Sequence, residues 1–140
     1  MKIFVTGANG QSGYDVMSEL VARGRVVGSD IQGRSCCANA NYVQLDREAV
    51  LRTIREIKPD AVIHCAAWTA VDLAEDNEEK VRAINVNGTQ NIADACKEID
   101  AKMLYISTDY VFDGQGTEPW KADCKDFAPL NVYGQSKLDG

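Results

Sequence analysis

KIFVTGANGQSG, residues 2–13, joins a short apolar run to a loop with a glycine at every third position. The run Lys2–Thr6 predicts a buried strand, and the amphipathic stretch Gln11–Arg23 predicts a helix. Glycines in the turn between them permit a tight bend and a close backbone approach. The free N–H groups at the start of the helix then favour a phosphate. The segment therefore predicts a docking point for a dinucleotide pyrophosphate, although a plain glycine-rich turn is the alternative.

Apolar runs and amphipathic stretches continue to alternate along the chain. Further strands are predicted at Arg25–Ser29, Tyr42–Leu45, Ala61–Ala66 and Lys102–Ser107. Further helices are predicted from Asp46, as a cap, to Pro59, from Glu75 to Glu98 with an interruption near Gly88, and from residue 131 or 132 onward. This order predicts an α/β fold, a Rossmann-type doubly wound parallel sheet. Residues 110–130 form a loop whose length indicates a functional role.

Composition narrows the class of protein. The 140 residues suit one domain, and a net charge of −6 without a Lys/Arg run argues against nucleic acid. No apolar stretch approaches the ~18 residues of a membrane helix, and the first residues do not resemble a signal peptide. Five cysteines without a C-x-x-C pattern indicate reduced thiols in a cytoplasmic protein rather than a metal site. Because the chain stops inside its last predicted helix, we expect a fragment of a longer protein.

Asp30 ends the second predicted strand, 17 residues after Gly13. An acidic residue near this spacing bonds the adenosine ribose hydroxyls in dinucleotide-binding units. A carboxylate there would repel a 2′-phosphate, so NAD is slightly favoured over NADP. Arg34 would offset this preference by pairing with such a phosphate. A turn aspartate without a ligand is an equally good interpretation from the sequence.

Tyr133 and Lys137 are four residues apart on the last predicted helix, so they share one face. An ammonium beside a phenol lowers the phenol pKa, which suits the tyrosine to general acid–base work. The pattern alone fits an exposed helix pair as well. Thr108 follows the last predicted strand, at the sheet edge where α/β folds place their sites. The long connection from Thr108 allows the three side chains to meet.

These motifs, with Asn85, resemble the extended short-chain dehydrogenase/reductase family. Three stretches narrow the resemblance to the dTDP-4-dehydrorhamnose reductases: AAWTAVD at residues 66–72, STDYVFDG at 107–114 and PLNVYGQSKL at 129–138. The match runs in order along nearly the whole chain. It implies reduction of the 4-keto group of dTDP-4-dehydro-L-rhamnose to give dTDP-L-rhamnose for cell-surface polysaccharide. A non-catalytic cofactor-binding regulatory subunit and an NAD-dependent sugar-nucleotide epimerase or dehydratase are the alternatives.

The resemblance also implies a role for each matched residue. Thr108 would hydrogen-bond the C4 carbonyl oxygen of the substrate, and Tyr133 would donate the proton to it. Lys137 would bond the nicotinamide ribose, while Asp109 and Tyr110 would flank the substrate. The implied cofactor-binding residues are Gly7, Asn9, Gly10, Gln11, Ser12, Gly13, Asp30, Asp46, Ala66, Ala67, Trp68, Asn85, Tyr133 and Lys137. The cofactor would be NADH or NADPH, magnesium and a homodimer are possible by resemblance only, and no metal ligand set is evident.

Some features depart from the family pattern. Ser12 stands where an apolar residue is common, and His64-Cys65 replaces a more usual Asn-Ala pair. His64, the one histidine, is interpreted as a core residue. The acidic residues between Asp72 and Glu79 are interpreted as a solvated helix start. Family members are roughly twice as long, so we expect residues 1–140 to be the NAD(P)-binding portion, without the C-terminal sugar-nucleotide domain.

Overall fold

The computed structural model describes residues 1–30 and 46–140, and within them it contains one parallel sheet. The strands are β1 (Lys2–Thr6), β2 (Arg25–Ser29), β3 (Ala61–His64) and β4 (Lys102–Tyr105), in the order β2-β1-β3-β4. The α-helices are α1 (Gln11–Val21), α2 (Arg47–Ile57), α3 (Val71–Glu75), α4 (Glu78–Arg82), α5 (Gly88–Glu98) and α6 (Val132–Asp139). A π-helical turn, Ala83–Asn87, joins α4 to α5, and a 3₁₀ turn covers Asp109–Val111.

Helices cover both faces of the sheet. Successive side chains of a strand point to opposite faces. Phe4 of β1 packs with Val62 of β3 against α2 and α5, where Ile54 and Ile92 complete the cluster. The neighbours of Phe4 on β1 pack against α1 on the other face. Apolar residues on both sides of the strands are typical of a parallel sheet covered twice. The predicted Rossmann-type α/β class is therefore confirmed.

The bounds of several elements agree with the sequence predictions. Strands β1 and β2 have the predicted ends, and the Asp46 side chain caps α2 by accepting from the Glu48 N–H at 2.8 Å. Helix α2 ends at Ile57, where Lys58 takes a left-handed conformation (φ 47°) before Pro59. The predicted strand Tyr42–Leu45 lies outside the described residues.

Three other predicted ends were too late along the chain. Helix α1 ends at Val21 rather than Arg23, because the N–H groups of Arg23 and Gly24 both bond the Leu20 carbonyl in a tightened last turn. Strand β3 ends at His64, and the backbone of Cys65 and Ala66 that follows lies against Gly7 of the glycine loop. Strand β4 ends at Tyr105, ahead of the turn that Thr108 caps.

The helix predicted from Glu75 to Glu98, with an interruption near Gly88, is confirmed from Glu78 onward, but its predicted start was three residues too early. The chain breaks between α3 and α4, where the Asn77 side chain donates to the Leu73 carbonyl at 2.9 Å. The helix is wound more loosely in the π-helical turn, which lies just before the predicted interruption near Gly88. π-Helical turns frequently mark functional sites. None of the helices in residues 1–30 and 46–140 is long and apolar enough to span a membrane.

Candidate active site

The glycine loop lies against the carboxyl end of β3. Gly7 has φ +67°, and a Cβ there would lie 2.7 Å from the Ala66 nitrogen. A Cβ on Gly13 would overlap the Gly7 carbonyl oxygen, so the first turn of α1 sits directly on the loop. The Ala8 N–H donates to the Ser29 carbonyl at 3.0 Å, which fixes the loop to β2 as well. Glycines are thus required at both positions by backbone contacts.

The N-terminus of α1 faces solvent without a side-chain cap. Gly10 precedes the helix in an extended conformation and supplies no capping oxygen. Gln11 and Ser12 are exposed in the first turn. The first N–H groups of a helix lack intrahelical partners and carry a partial positive charge. This end of α1 is therefore suited to an anionic group.

Asp30 lies at the end of β2 beside the loop. Its carboxylate accepts from the Asn9 N–H at 2.9 Å. The sequence placed both residues at the cofactor, and the structure brings them together. Asp46 is positioned differently, since its side chain caps α2 and it is not among the described residues that line the cleft.

A cleft of about 330 Å³ opens between the glycine loop and the chain that follows β3. The described residues that line it are Thr6, Gly7, Gly10, Ser29, Asp30, Val50, His64, Cys65, Ala66, Ala67, Trp68, Ile84 and Ile92. Its walls are mainly apolar, with polar groups concentrated at Asp30 and the loop. This is the usual character of a small-molecule site, and it lies at the carboxyl ends of the strands.

Asn85 connects the cleft wall to α6. Its Oδ1 accepts from the Trp68 N–H at 2.7 Å, and its Nδ2 donates to the Trp68 carbonyl at 3.1 Å. The same Nδ2 donates to the Ser136 hydroxyl at 2.9 Å, and that hydroxyl donates to the Tyr133 carbonyl at 2.7 Å. Asn85 is 1% exposed, so these bonds are shielded from water. The π-helical turn therefore holds the wall and α6 together.

Helix α6 is fixed at its start by groups distant in sequence. The Asn131 side chain caps it by accepting from the Gly134 N–H at 2.7 Å. Glu75 accepts from the Val132 N–H at 2.8 Å, so this residue is not simply part of a solvated helix start, as its sequence context suggested. A Cβ on Gly134 would overlap the Tyr110 carbonyl oxygen, so α6 lies directly against the 3₁₀ turn.

This close approach brings two predicted site residues together. The rings of Tyr110 and Tyr133 meet edge to face, with centroids 5.7 Å apart. Thr108 caps the same turn, accepting from the Tyr110 N–H at 3.3 Å and donating to Asp109 Oδ1 at 3.1 Å. Tyr133 is 9% exposed, whereas Tyr110 is 45% exposed. The buried Tyr133 thus lies beside the exposed turn that Thr108 caps.

Lys137 is buried one turn further along α6, with 5% of its surface exposed. Its ammonium lies over the ring of Tyr105, 4.0 Å from the centroid. Burial lowers the pKa of Lys137 from 10.5 to about 8, and the Cys65 thiol opposes the shift. Burial also raises the pKa of Cys65, which Lys137 in turn opposes. The charges of Lys137 and of an ionised Cys65 therefore influence each other's pKa.

His64 is a core residue, as predicted, with both ring nitrogens bonded. Thr6 Oγ1 lies 2.6 Å from Nδ1, and Thr89 Oγ1 lies 3.2 Å from Nε2. The Thr89 hydroxyl donates to the Asn85 carbonyl at 2.7 Å, so it accepts from Nε2, which assigns the ring proton to that nitrogen. Burial, and secondarily the charge of Lys137, lowers the pKa of His64 to about 4. The imidazole is therefore neutral near pH 7.

Sequence reasoning missed several residues that shape this site. They are Glu75, Thr89, Tyr105 and Ser136. Only Ser136 carried a usable signal, because it lies between Tyr133 and Lys137 on the motif helix. Among the described residues no group of three or more His, Cys, Asp or Glu side chains is placed to hold a metal ion.

The sheet and the groups gathered at its carboxyl edge define a Rossmann-type domain of the short-chain dehydrogenase/reductase class. Within that class, the chain belongs to the family described as the RmlD substrate binding domain, which matches residues 1–140. It is 38% identical over 140 residues to the dTDP-4-dehydrorhamnose reductase of Escherichia coli strain K12, covering 100% of this chain and 45% of that protein. The predicted resemblance is confirmed, and the chain spans about half the length of the curated relatives it matches.

Two solved structures have the same fold over nearly the whole of this chain. A dTDP-4-dehydrorhamnose reductase from Bacillus anthracis strain Ames, in complex with NADP, superposes with a TM-score of 0.88 at 36% identity, over 99% of this chain and 47% of that one. A UDP-glucose 4-epimerase from Thermus thermophilus, in complex with NAD, superposes with a TM-score of 0.86 at 28% identity, over 98% and 47% of the two chains.

Proposed function

We propose that this chain is the cofactor-binding portion of a reductase that converts dTDP-4-dehydro-L-rhamnose into dTDP-L-rhamnose. The observation that carries the proposal is the contact of α6 with the 3₁₀ turn at Gly134, which places Tyr133 beside the segment of Thr108. The names of the curated relatives support the same reaction. The part of the relatives' sequences that this chain does not match would supply the remaining contacts with the sugar nucleotide.

The residues present fit a nicotinamide dinucleotide. Cβ atoms at Gly7 and Gly13 would strike backbone, so a tight cradle exists beside the uncapped end of α1. Its N–H groups would bind the pyrophosphate. Asp30 would bond the adenosine ribose, and the wall from Ala66 to Trp68 would face the nicotinamide half. When bound in reduced form, such a cofactor supplies the hydride for carbonyl reduction.

The chain's own residues have three tasks in the proposed reaction. Tyr133 donates its phenolic proton to the C4 oxygen of the sugar. Lys137 binds the nicotinamide ribose through its ammonium. The Thr108 hydroxyl turns from Asp109 to the same C4 oxygen and polarises the carbonyl. Asp109 and Tyr110, which are both exposed, flank the sugar.

NAD and NADP differ only at the adenosine ribose, so the preference depends on Asp30. Its carboxylate would repel a 2′-phosphate, and we propose a modest preference for NADH. Fluorescence titration with NADH and NADPH measures it, with a lower Kd for NADH as the expected result. Equal affinities, or tighter NADPH, would contradict the role assigned to Asp30. Relatives of this fold are solved with either cofactor.

The reaction is tested by incubating the full-length protein with reduced cofactor and dTDP-4-dehydro-L-rhamnose. We expect cofactor oxidation in step with formation of dTDP-L-rhamnose. An isomerised or dehydrated sugar without net cofactor consumption would identify an epimerase or dehydratase. Cofactor binding without any turnover in the full-length protein would identify a regulatory subunit.

Tyr133→Phe tests the proton donor. In the full-length enzyme we expect turnover to fall by about 10²–10⁴-fold, because general acid catalysis contributes about that much, while cofactor affinity stays close to that of the parent protein. Tyr14→Phe, on the exposed side of α1, is the matched control and should leave turnover unchanged. Unchanged turnover in Tyr133→Phe would refute the assigned role.

A further inference from the structure

Tyr105 contacts Lys137 at two separate points. Its hydroxyl donates to the Lys137 main-chain carbonyl at 3.1 Å, and its ring lies 4.0 Å from the Lys137 ammonium. Tyr105 is the last residue of β4 and pairs in register with His64 on β3. One side chain from the sheet thus holds both the backbone and the charged end of a residue on α6.

The backbone contact ties β4 to α6. The Tyr105 hydroxyl donates to the Lys137 carbonyl from outside the helix. The Lys137 side chain therefore leaves α6 at a point that a residue of the sheet holds.

The ring contact concerns the charge. An ammonium withdrawn from water loses hydration, and the face of an aromatic ring compensates part of that loss. Because Lys137 is buried, its ammonium gains more from the ring than an exposed ammonium would. An aliphatic side chain at position 105 would bury the ammonium without any attraction.

The neighbours of Tyr105 keep this arrangement in place. The rings of Tyr105 and His64 are stacked, with centroids 6.1 Å apart and planes 21° apart. Thr6 and Thr89 bond both nitrogens of His64, so that ring cannot rotate without breaking two hydrogen bonds. Because the imidazole is neutral near pH 7, it adds no second positive charge beside Lys137.

We propose that Tyr105 is a positioning residue for Lys137: its ring fixes the ammonium and its hydroxyl holds the Lys137 backbone, so that the ammonium is presented to the cofactor ribose. The cofactor contact in this statement rests on the proposed function. The two contacts between Tyr105 and Lys137 do not depend on it.

The first readout is spectroscopic and needs no ligand. The ε-methylene protons of Lys137 lie near the face of the Tyr105 ring, so ring current should shift their NMR signals upfield in the whole chain. Lys137→Met identifies those signals by their loss. We expect the shift to persist in Tyr105→Phe, which keeps the ring, and to disappear in Tyr105→Leu. Signals at ordinary lysine positions in the parent chain would overturn the proposal.

The second readout is the Kd for NADH and NADPH. We expect Tyr105→Phe to bind within about threefold of the parent and Tyr105→Leu to bind about tenfold more weakly, as the loss of a partly desolvated cation–π contact predicts. Phe112→Leu is the matched control, since it removes a ring from a separate stack with Trp120 and Phe127. An equal loss in Phe112→Leu, or none in Tyr105→Leu, would overturn the proposal.

Both readouts are independent of sugar turnover. A chain that shows the upfield shift and the graded loss of affinity supports the positioning role even when the keto-sugar is not reduced. A chain that reduces the keto-sugar without the upfield shift contradicts it. The near-ultraviolet circular dichroism of each variant identifies any that fail to fold, and the parent-chain NMR signal alone still decides the case.

Discussion

Replacing Lys137 with methionine should make the folded chain more stable at neutral pH. Lys137 is 5% exposed, and its pKa in the folded chain is about 8, against an ordinary value of 10.5. Each pH unit between the two values corresponds to about 1.4 kcal/mol. Holding the ammonium in the fold therefore costs about 3 kcal/mol at pH 7 relative to a neutral side chain. Methionine has a similar shape and carries no charge.

The sign of the pH dependence follows from proton binding. Below pH 8, Lys137 is protonated in both the folded and the unfolded chain, so the full cost is present. Between pH 8 and 10.5 the unfolded chain binds more protons than the folded chain, so stability rises with pH. Above 10.5 the cost is gone. The difference in unfolding free energy between Lys137→Met and the parent should thus fall from about 3 kcal/mol at pH 7 to near zero by pH 10.5.

Urea unfolding without cofactor, followed by circular dichroism from pH 7 to 10.5, measures this difference. The subtraction removes the contributions of groups that titrate alike in both proteins; the Cys65 thiol is not one of them, because its pKa depends on Lys137. Lys80→Met is the matched control, because Lys80 is exposed on α4, and its effect should stay within about 0.5 kcal/mol at every pH. A Lys137→Met protein that is no more stable at pH 7, or whose advantage is constant with pH, would refute the reasoning.

Two further substitutions test the backbone contacts of the site. Gly13→Ala should destabilise the chain by about 2–3 kcal/mol in denaturant unfolding and abolish cofactor binding, since its Cβ would overlap the Gly7 carbonyl oxygen. In the control Gly10→Ala the Cβ would lie 3.3 Å from the same oxygen, so the cost should be less than about 1 kcal/mol. Equal costs for the two variants would contradict this account. Asn85→Leu should lower the free energy of unfolding by about 3 kcal/mol in the same measurement, because the N–H and carbonyl groups of Trp68 both lose their partner. A loss below about 1 kcal/mol would show that water replaces the Asn85 amide.

The fold was largely predictable because local signals agreed with tertiary structure. Apolar runs fixed β1 and β2 to the residue, and Asp46 and Pro59 bracketed α2 correctly. The helix predicted from Glu75 to Glu98 was wrong only at its start, because the chain breaks between α3 and α4 ahead of Glu78. The Asn77 side chain bonds the Leu73 carbonyl at this break, and the Asn85 side chain of the π-helical turn bonds Trp68 and Ser136. A local pattern carries no information about the distant partners of Asn85.

The site likewise combines residues that a local sequence pattern indicates with residues whose role depends on contacts between elements. The glycine loop and the pair Tyr133 and Lys137 are motifs of fixed spacing, so the sequence revealed them. Tyr105 was invisible, since a tyrosine at the end of a strand has many ordinary explanations. It becomes meaningful only when β4 and α6 are seen side by side.

The stability cost of Lys137 and its proposed use have the same physical origin. An ammonium that water fully hydrated would gain little from ribose hydroxyls, because the exchange of one set of hydrogen bonds for another is nearly neutral. Lys137 has already lost most of its water on folding, and the face of Tyr105 offers charge compensation but no hydrogen-bond acceptor at the ring. A ligand that brings hydroxyl oxygens to this ammonium therefore recovers part of a cost that the folded chain has already incurred. Any gain in stability obtained by removing the charge should for this reason be accompanied by weaker cofactor binding.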